Sequence, residues 1–248
     1  MWATRQLVTG ADLQRAIPLT QHLLDHFERL LGPHRPHTLT ARHNLAEAYK
    51  SAGRLTAAIT LHEQTLTDHE RVFGTHHPDT LGSRNNLASV YEAAGRVAEA
   101  IPLLERTLAD CERVFGPDYP HTLTYRNNLA SVYKEAGRID EATSLFERTL
   151  ADRERLLGPH HPDTLGSRND LASVYKEAGR TDEAIPLFQR TLADYKRLLG
   201  HDHPHTLTAR DNLAHIYRAV GRIDEAIPLF ERTLADRERL LGRDHPTL

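Results

Sequence analysis

The sequence predicts an all-α fold, a solenoid of stacked helical hairpins. Three observations carry the prediction. Pro36, Pro78, Pro120, Pro162, Pro204 and Pro246 recur with a period of 42 residues. Gly53, Gly95, Gly137, Gly179 and Gly221 keep the same period, as do Tyr49, Tyr91, Tyr133, Tyr175 and Tyr217. Between these landmarks the apolar residues fall at helical spacing. A fixed period of this length marks a repeat architecture. One such hairpin cannot bury both of its faces, so it depends on its neighbours.

Residues 12–31 match a second helix alone, with Ile17 and Pro18 where a later unit has Ile101 and Pro102. Residues 1–35 are therefore expected to be a partial hairpin or cap, with 1–10 a degraded first helix and Trp2 packed on that end. The repeats are expected at 36–77, 78–119, 120–161, 162–203 and 204–245, with 246–248 the start of a truncated next one. In each, the first helix opens on the proline, whose missing N–H has no partner in a first turn. Asp79 and Asp163 follow it, where a negative charge suits the helix N-terminus. Leu39, Leu45, Ala46 and Tyr49 make one apolar stripe. Gly53 and its equivalents end the helix, expected in the left-handed conformation. The second helix runs to Gly74, Gly116, Gly158 or Gly200. Its stripe in the second full unit is Ala100, Ile101, Leu104, Leu108, Cys111 and Phe115. Pro102, Pro186 and Pro228 lie near the start of second helices, where a proline costs at most one early backbone bond.

Charge and composition narrow the function. The formal net charge is -3, without the basic excess of a nucleic-acid binder, so no nucleic-acid partner is expected. No apolar run is long enough to span a membrane, so no membrane partner is expected either. The start Met1-Trp2-Ala3-Thr4-Arg5 lacks a secretory pattern. A single cysteine, Cys111, excludes an internal disulfide, and a reducing, cytoplasmic setting is expected. Seventeen histidines invite a metal reading. Eight fall in the turns between hairpins (His34, His76, His77, His160, His161, His201, His203 and His245). No H-E-x-x-H or paired C-x-x-C occurs, so no metal and no cofactor are expected. Cys111 aligns with His69, Arg153, Tyr195 and Arg237, which places it at a rim with no base beside it, an inert thiol. No G-x-S-x-G elbow occurs, and no enzyme activity is expected.

The pattern N-L-A-x-x-Y-x-x-x-G, followed by an alanine at about five residues, resembles the tetratricopeptide repeat. The 42-residue unit, with H-P-[HD]-T before the first helix, is similar to the long kinesin-light-chain form of bacterial type. The resemblance covers residues 36–248 and, more weakly, 11–35. It implies a right-handed α–α superhelix that binds a protein or an extended peptide in a concave groove lined by first helices. Similar bacterial arrays form the sensor arm of multidomain signalling ATPases. No G-x-x-x-x-G-K-[ST] loop lies within this sequence.

The stripe that the resemblance turns toward the groove reads His43-Asn44, Asn85-Asn86, Asn127-Asn128, Asn169-Asp170 and Asp211-Asn212. One turn on come Glu47, Ser89, Ser131, Ser173 and His215, then Lys50, Glu92, Lys134, Lys176 and Arg218. Asparagine both donates and accepts, so a ladder of them suits the amides of an extended peptide. Two roles stay open to them: contact with a ligand, or bonds within loops and to the adjacent hairpin. Changing Asn85 and Asn127 to Ala is expected to weaken binding with little loss of stability. The lysines favour a carboxylate-bearing ligand, opposed by Asp170 and Asp211. Arg42, Arg84, Arg126, Arg168 and Arg210 recur in every unit. They suit either a structural bridge or a ligand contact. A weaker two-unit period alternates His37, His121 and His205 with Asp79 and Asp163. The departures His43, Glu47, Asp170 and His215 are where specificity is expected. The alternative function is self-association. The sequence stops as a sixth first helix would start, leaving Ile227, Phe230, Leu234 and Leu241 open, so either a longer protein or a homo-oligomer through solenoid ends is expected.

Overall fold

The computed structural model describes residues 10–241. Residues 1–9 and 242–248, with the expected Trp2 cap, His245 and Pro246, lie outside the described residues. So do the side chains of residues 10–15 and of Leu241. The described residues form α1 (Gly10–Leu31), α2 (Pro36–Ser51), α3 (Leu55–Phe73), α4 (Pro78–Ala93), α5 (Val97–Phe115), α6 (Pro120–Glu135), α7 (Ile139–Leu157), α8 (Pro162–Glu177), α9 (Thr181–Leu199), α10 (Pro204–Ala219) and α11 (Ile223–Leu241). They contain no strand. The chain divides into two compact units, Met1–Asn128 and Leu129–Leu248, with the boundary inside α6. In the first unit α1 packs on α2, α2 on α3, α3 on α4 and α4 on α5; in the second, α7 packs on α8, α8 on α9, α9 on α10 and α10 on α11.

Local sequence explains where each helix starts. The proline opens α4, α8 and α10, and the histidine before it caps the end. His77, His161 and His203 each accept a backbone N–H through Nδ1, from Asp79, Asp163 and His205, at 3.2 Å. An imidazole thus satisfies an amide that would otherwise lack a partner in the first turn. The threonine of the same motif is fully buried and donates to the carbonyl of the preceding glycine. The bond measures 2.8 Å for Thr38, 2.8 Å for Thr80, 2.9 Å for Thr122 and 2.7 Å for Thr206.

The ends of the first helices follow one pattern. In α4 the Arg96 N–H bonds the Tyr91 carbonyl and the Gly95 N–H bonds that of Glu92, both at 2.8 Å. This is the glycine-dependent Schellman arrangement, with Gly95 at φ 70°. The next arginine folds over the tyrosine: Arg96 lies 4.4 Å from the Tyr91 ring centre and Arg180 4.0 Å from that of Tyr175. A cation over an aromatic face is attracted to it. The tyrosine hydroxyl then donates to an acid on the previous second helix, Tyr91 to Glu63 and Tyr175 to Glu147, at 2.7 Å each.

Small residues set the close approach of helices. Ala46, Ala88 and Ala172 on first helices, and Ala58, Ala100, Ala142 and Ala184 on second helices, are wholly buried. Leu39, Leu81 and Leu165, with Leu104, Phe146 and Phe188, fill the space around them.

Candidate functional site

The polar stripe lies on the first helices beside the buried stripe, because residues three and four apart share a helix face. In the first unit His43, Glu47, Lys50, Asn85, Asn86, Ser89, Asn127 and Asn128 are half-buried and Asn44 is exposed. In the second, Ser131, Lys134, Asn169, Asp170, Ser173, Lys176, Asp211 and Asn212 are half-buried and His215 is exposed. The stripe therefore contributes to neither core, and its groups reach solvent.

The asparagine doublets bond across hairpins. Asn128 Nδ2 donates to Asn85 Oδ1 at 2.8 Å, and Asn212 Nδ2 to Asn169 Oδ1 at 2.9 Å. Asn86 Nδ2 sits 3.5 Å from His43 Nδ1. The second residue of a doublet thus reaches back to the first residue of the doublet before it. The expectation that Asn85 could be truncated with little loss of stability is corrected by this bond, since an inter-hairpin hydrogen bond is worth about 1 kcal/mol. The lysines are less available to a ligand carboxylate than their sequence suggests. Lys50 Nζ donates to Ser89 Oγ at 2.7 Å, and Lys134 Nζ lies 3.5 Å from Glu177. At the last doublet Asp211 receives Arg237, and Arg218 lies 3.4 Å from His215 Nδ1.

Of the two roles open to the recurring arginines, the structure realises the bridge. Arg84 pairs with Asp110 at 3.1 Å and Glu70 at 3.2 Å, and donates to the Thr75 carbonyl at 3.3 Å. Arg42 and Arg168 repeat this scheme with Asp68 and Glu28 and with Asp194 and Glu154, and Arg210 pairs with Asp236 and the His201 carbonyl, Lys196 standing at the glutamate's place. The same aspartates receive turn histidines: His34 lies 3.1 Å from Asp68, His76 3.6 Å from Asp110 and His160 3.4 Å from Asp194. These turn histidines therefore belong to the frame.

Cys111 corrects the sequence reading. It is wholly buried, not at a rim. Its Sγ accepts from Thr122 Oγ1 at 3.2 Å, and burial pushes the thiol pKa up, which suppresses the reactive thiolate. Two of the aligned residues bond a serine fourteen positions on, across the hairpin junction, and Arg237 turns instead to Asp211. His69 bonds Ser83, and Arg153 bonds Ser167 at 2.5 Å. Cys111 stands opposite Tyr125 and Tyr195 opposite Ala209, all four buried. The position is interior at Cys111, Arg153 and Tyr195 and half-buried at His69 and Arg237.

In the first unit a pocket of about 320 Å3 opens beside the stripe, lined by Thr40, His43, His69, Phe73, Asp79, Gly82, Asn86, His121 and Tyr125, among others. Gly82, with no side chain, leaves room there; a Cβ added to it would come no nearer than 3.9 Å to the Tyr125 hydroxyl. The sequence reading passed over one residue near this end. His62 on α3 is fully buried below His43 and Glu47. The signal was present in the repeat: Leu104, Phe146, Phe188 and Phe230 occupy the equivalent positions.

Among the described residues, no helix is long and apolar enough to cross a membrane. The tetratricopeptide repeat profiles match residues 79–155, 126–197 and 163–239, and a second such profile matches 38–79. A kinesin-light-chain candidate from Podosopora anserina, with nearly identical TPR-like repeats, is 32% identical. The match covers 82% of this chain and 95% of that one, with a TM-score of 0.72. BtubC (BKLC) from P. vanneervenii is 24% identical over 94% of each chain, with a TM-score of 0.77. A Rap protein complexed with competence and sporulation factor is 14% identical over 93% of this chain and 71% of that one, at a TM-score of 0.62. The last two likenesses are of fold alone. Among curated proteins none matches the chain significantly.

Proposed function

Since the chain belongs to the tetratricopeptide repeat family, a family of generally non-catalytic, protein-binding scaffolds, we propose that it binds a protein or an extended peptide on the polar stripes of its first helices. The observation that carries the reading is the half-buried carboxamide row. Asn85 and Asn169 each accept one bond from the next hairpin. An amide side chain offers two donors and two acceptor sites, so capacity remains for the main chain of a ligand. In the first unit the pocket at Gly82 adds room for one ligand side chain. The residues proposed to face a ligand remain those of the stripe, from His43 to His215. The same surface would serve as the sensor arm of a larger signalling protein.

The test is selection of peptides from a displayed random library against the purified chain, followed by affinity measurement on variants. Gly82→Leu fills the pocket from a helical position where glycine is a poor helix former. It is expected to weaken the selected peptide by about tenfold or more while thermal stability holds. Asn85→Ala with Asn127→Ala is expected to weaken it too, at a cost of about 1 kcal/mol in stability. Undiminished binding by both variants would place the ligand elsewhere.

A second reading, self-association, is favoured by the apolar face of α11. Leu234 is 48% exposed, whereas its equivalents Leu108, Leu150 and Leu192 are 5–8% exposed.

A further inference from the structure

We propose that His43, Glu47 and His62 form a binding site for a divalent ion of the zinc class. His43 and Glu47 lie one turn apart on α2, and His62 rises from α3 beneath them. One ligand atom from each lies within 4.8 Å of the other two. His62 Nε2 stands 3.3 Å from Glu47 Oε1, and the His43 and His62 rings meet edge to face at 5.6 Å between centres.

Three features point to a metal rather than to a polar core pair. His62 is 0% exposed, yet neither of its ring nitrogens has a well-formed hydrogen bond, the 3.3 Å approach to Glu47 being poorly aligned. A buried polar group without a partner is costly, and a ligand bond would remove that cost for the one ring nitrogen that makes it. The 3.3 Å separation also matches the edge of a tetrahedron with metal–ligand bonds of about 2.0–2.1 Å.

The third feature lies in the repeat. Position 62 is Leu or Phe in every other full unit, position 43 is Asn or Asp, and position 47 is Ser or His. One hairpin alone departs at all three positions, and the departures supply two imidazoles and a carboxylate that converge. That donor set suits Zn2+ with an open position for water. Glu47 and His43 are half-buried, so the open position faces solvent.

The experiment uses the full chain, untagged and stripped with chelator, titrated with Co2+ and then Zn2+. Expected are visible d–d bands reaching a plateau at one Co2+ per chain, loss of the bands on adding Zn2+, and a melting temperature raised by Zn2+. His62→Phe installs the residue that three equivalent positions carry and is expected to fold, to lose the bands and to bind Zn2+ at least about tenfold more weakly. Glu47→Ser, copying the equivalent serines, gives the same readout from a half-buried position should His62→Phe fail to fold. Uptake unchanged in the variant that folds would assign the metal to turn histidines such as His76 and His77, and overturn the proposal. So would absence of uptake by the parent chain.

Discussion

Arg84 keeps only 1% of its side-chain surface in water, and its guanidinium stays charged at any ordinary pH. The charge is tolerated because Asp110, Glu70 and a backbone carbonyl surround it. Burial raises the Asp110 pKa, but hydrogen bonds from Arg84 and Arg113 outweigh it and hold the carboxyl below its ordinary value. A carboxylate depressed in the folded state contributes stability above its unfolded pKa, about 3.9. That contribution is lost as pH falls through the lower folded value. Asp110→Ala leaves a buried cation short of its main partner and is expected to lower the unfolding free energy by about 3 kcal/mol at neutral pH, read by urea titration. It should also make the decline in stability below about pH 4 shallower. Arg84→Met should cost less, because Glu70 keeps 35% of its side chain in solvent. Parental stability in Asp110→Ala would mean that water reaches the guanidinium. The recurrence of this arginine was legible in the sequence. Its partners were not, because Glu70 and Asp110 lie on two different helices that only packing brings to one side chain.

Each hairpin contains two glycines that look alike in the sequence and differ in backbone. Gly95, inside the hairpin, has φ 70°, a left-handed helical value that asparagine also visits. Gly116, between hairpins, has φ 89° and ψ 166°, a region that is essentially glycine's alone. A Cβ would meet nothing within 4 Å at either site, so any penalty is of the backbone. Gly95→Asn is expected to cost less than about 1 kcal/mol and Gly116→Ala about 2 kcal/mol, as chemical unfolding would report. Equal costs would contradict the distinction. Helix ends were thus legible from the glycine period, whereas the two kinds of end were not, since one residue type serves both. Position 111 shows the same limit. Unlike residues at equivalent places suggested a surface, yet Cys111, Arg153 and Tyr195 are buried there while their chemistry differs.

At the scale of the whole molecule the all-α repeat fold was legible because a period of 42 residues leaves few other ways to bury these stripes. Partners outside a repeat unit leave a weaker trace, and the face of α11 is an instance. Along the second helices the leucine at 108, 150 and 192 is 5–8% exposed; at 234 it is 48% exposed, and Ile223 and Ile227 on the same helix are 45% and 48% exposed. Burying three such side chains is worth several kcal/mol, at about 1.5–3 kcal/mol each, before the cost of association is set against it. If a second copy covers this face, light scattering on the eluting protein should give the 28.0 kDa chain mass at low concentration and a rising mass at high concentration. Leu234→Glu should return the mass to that of the single chain, without unfolding it, because the site is half-exposed in the isolated chain. A mass that stays at one chain across the whole range would leave the α11 face to a different protein or to further repeats. The polar stripes of the first helices would then be the surface on which to look for a ligand first.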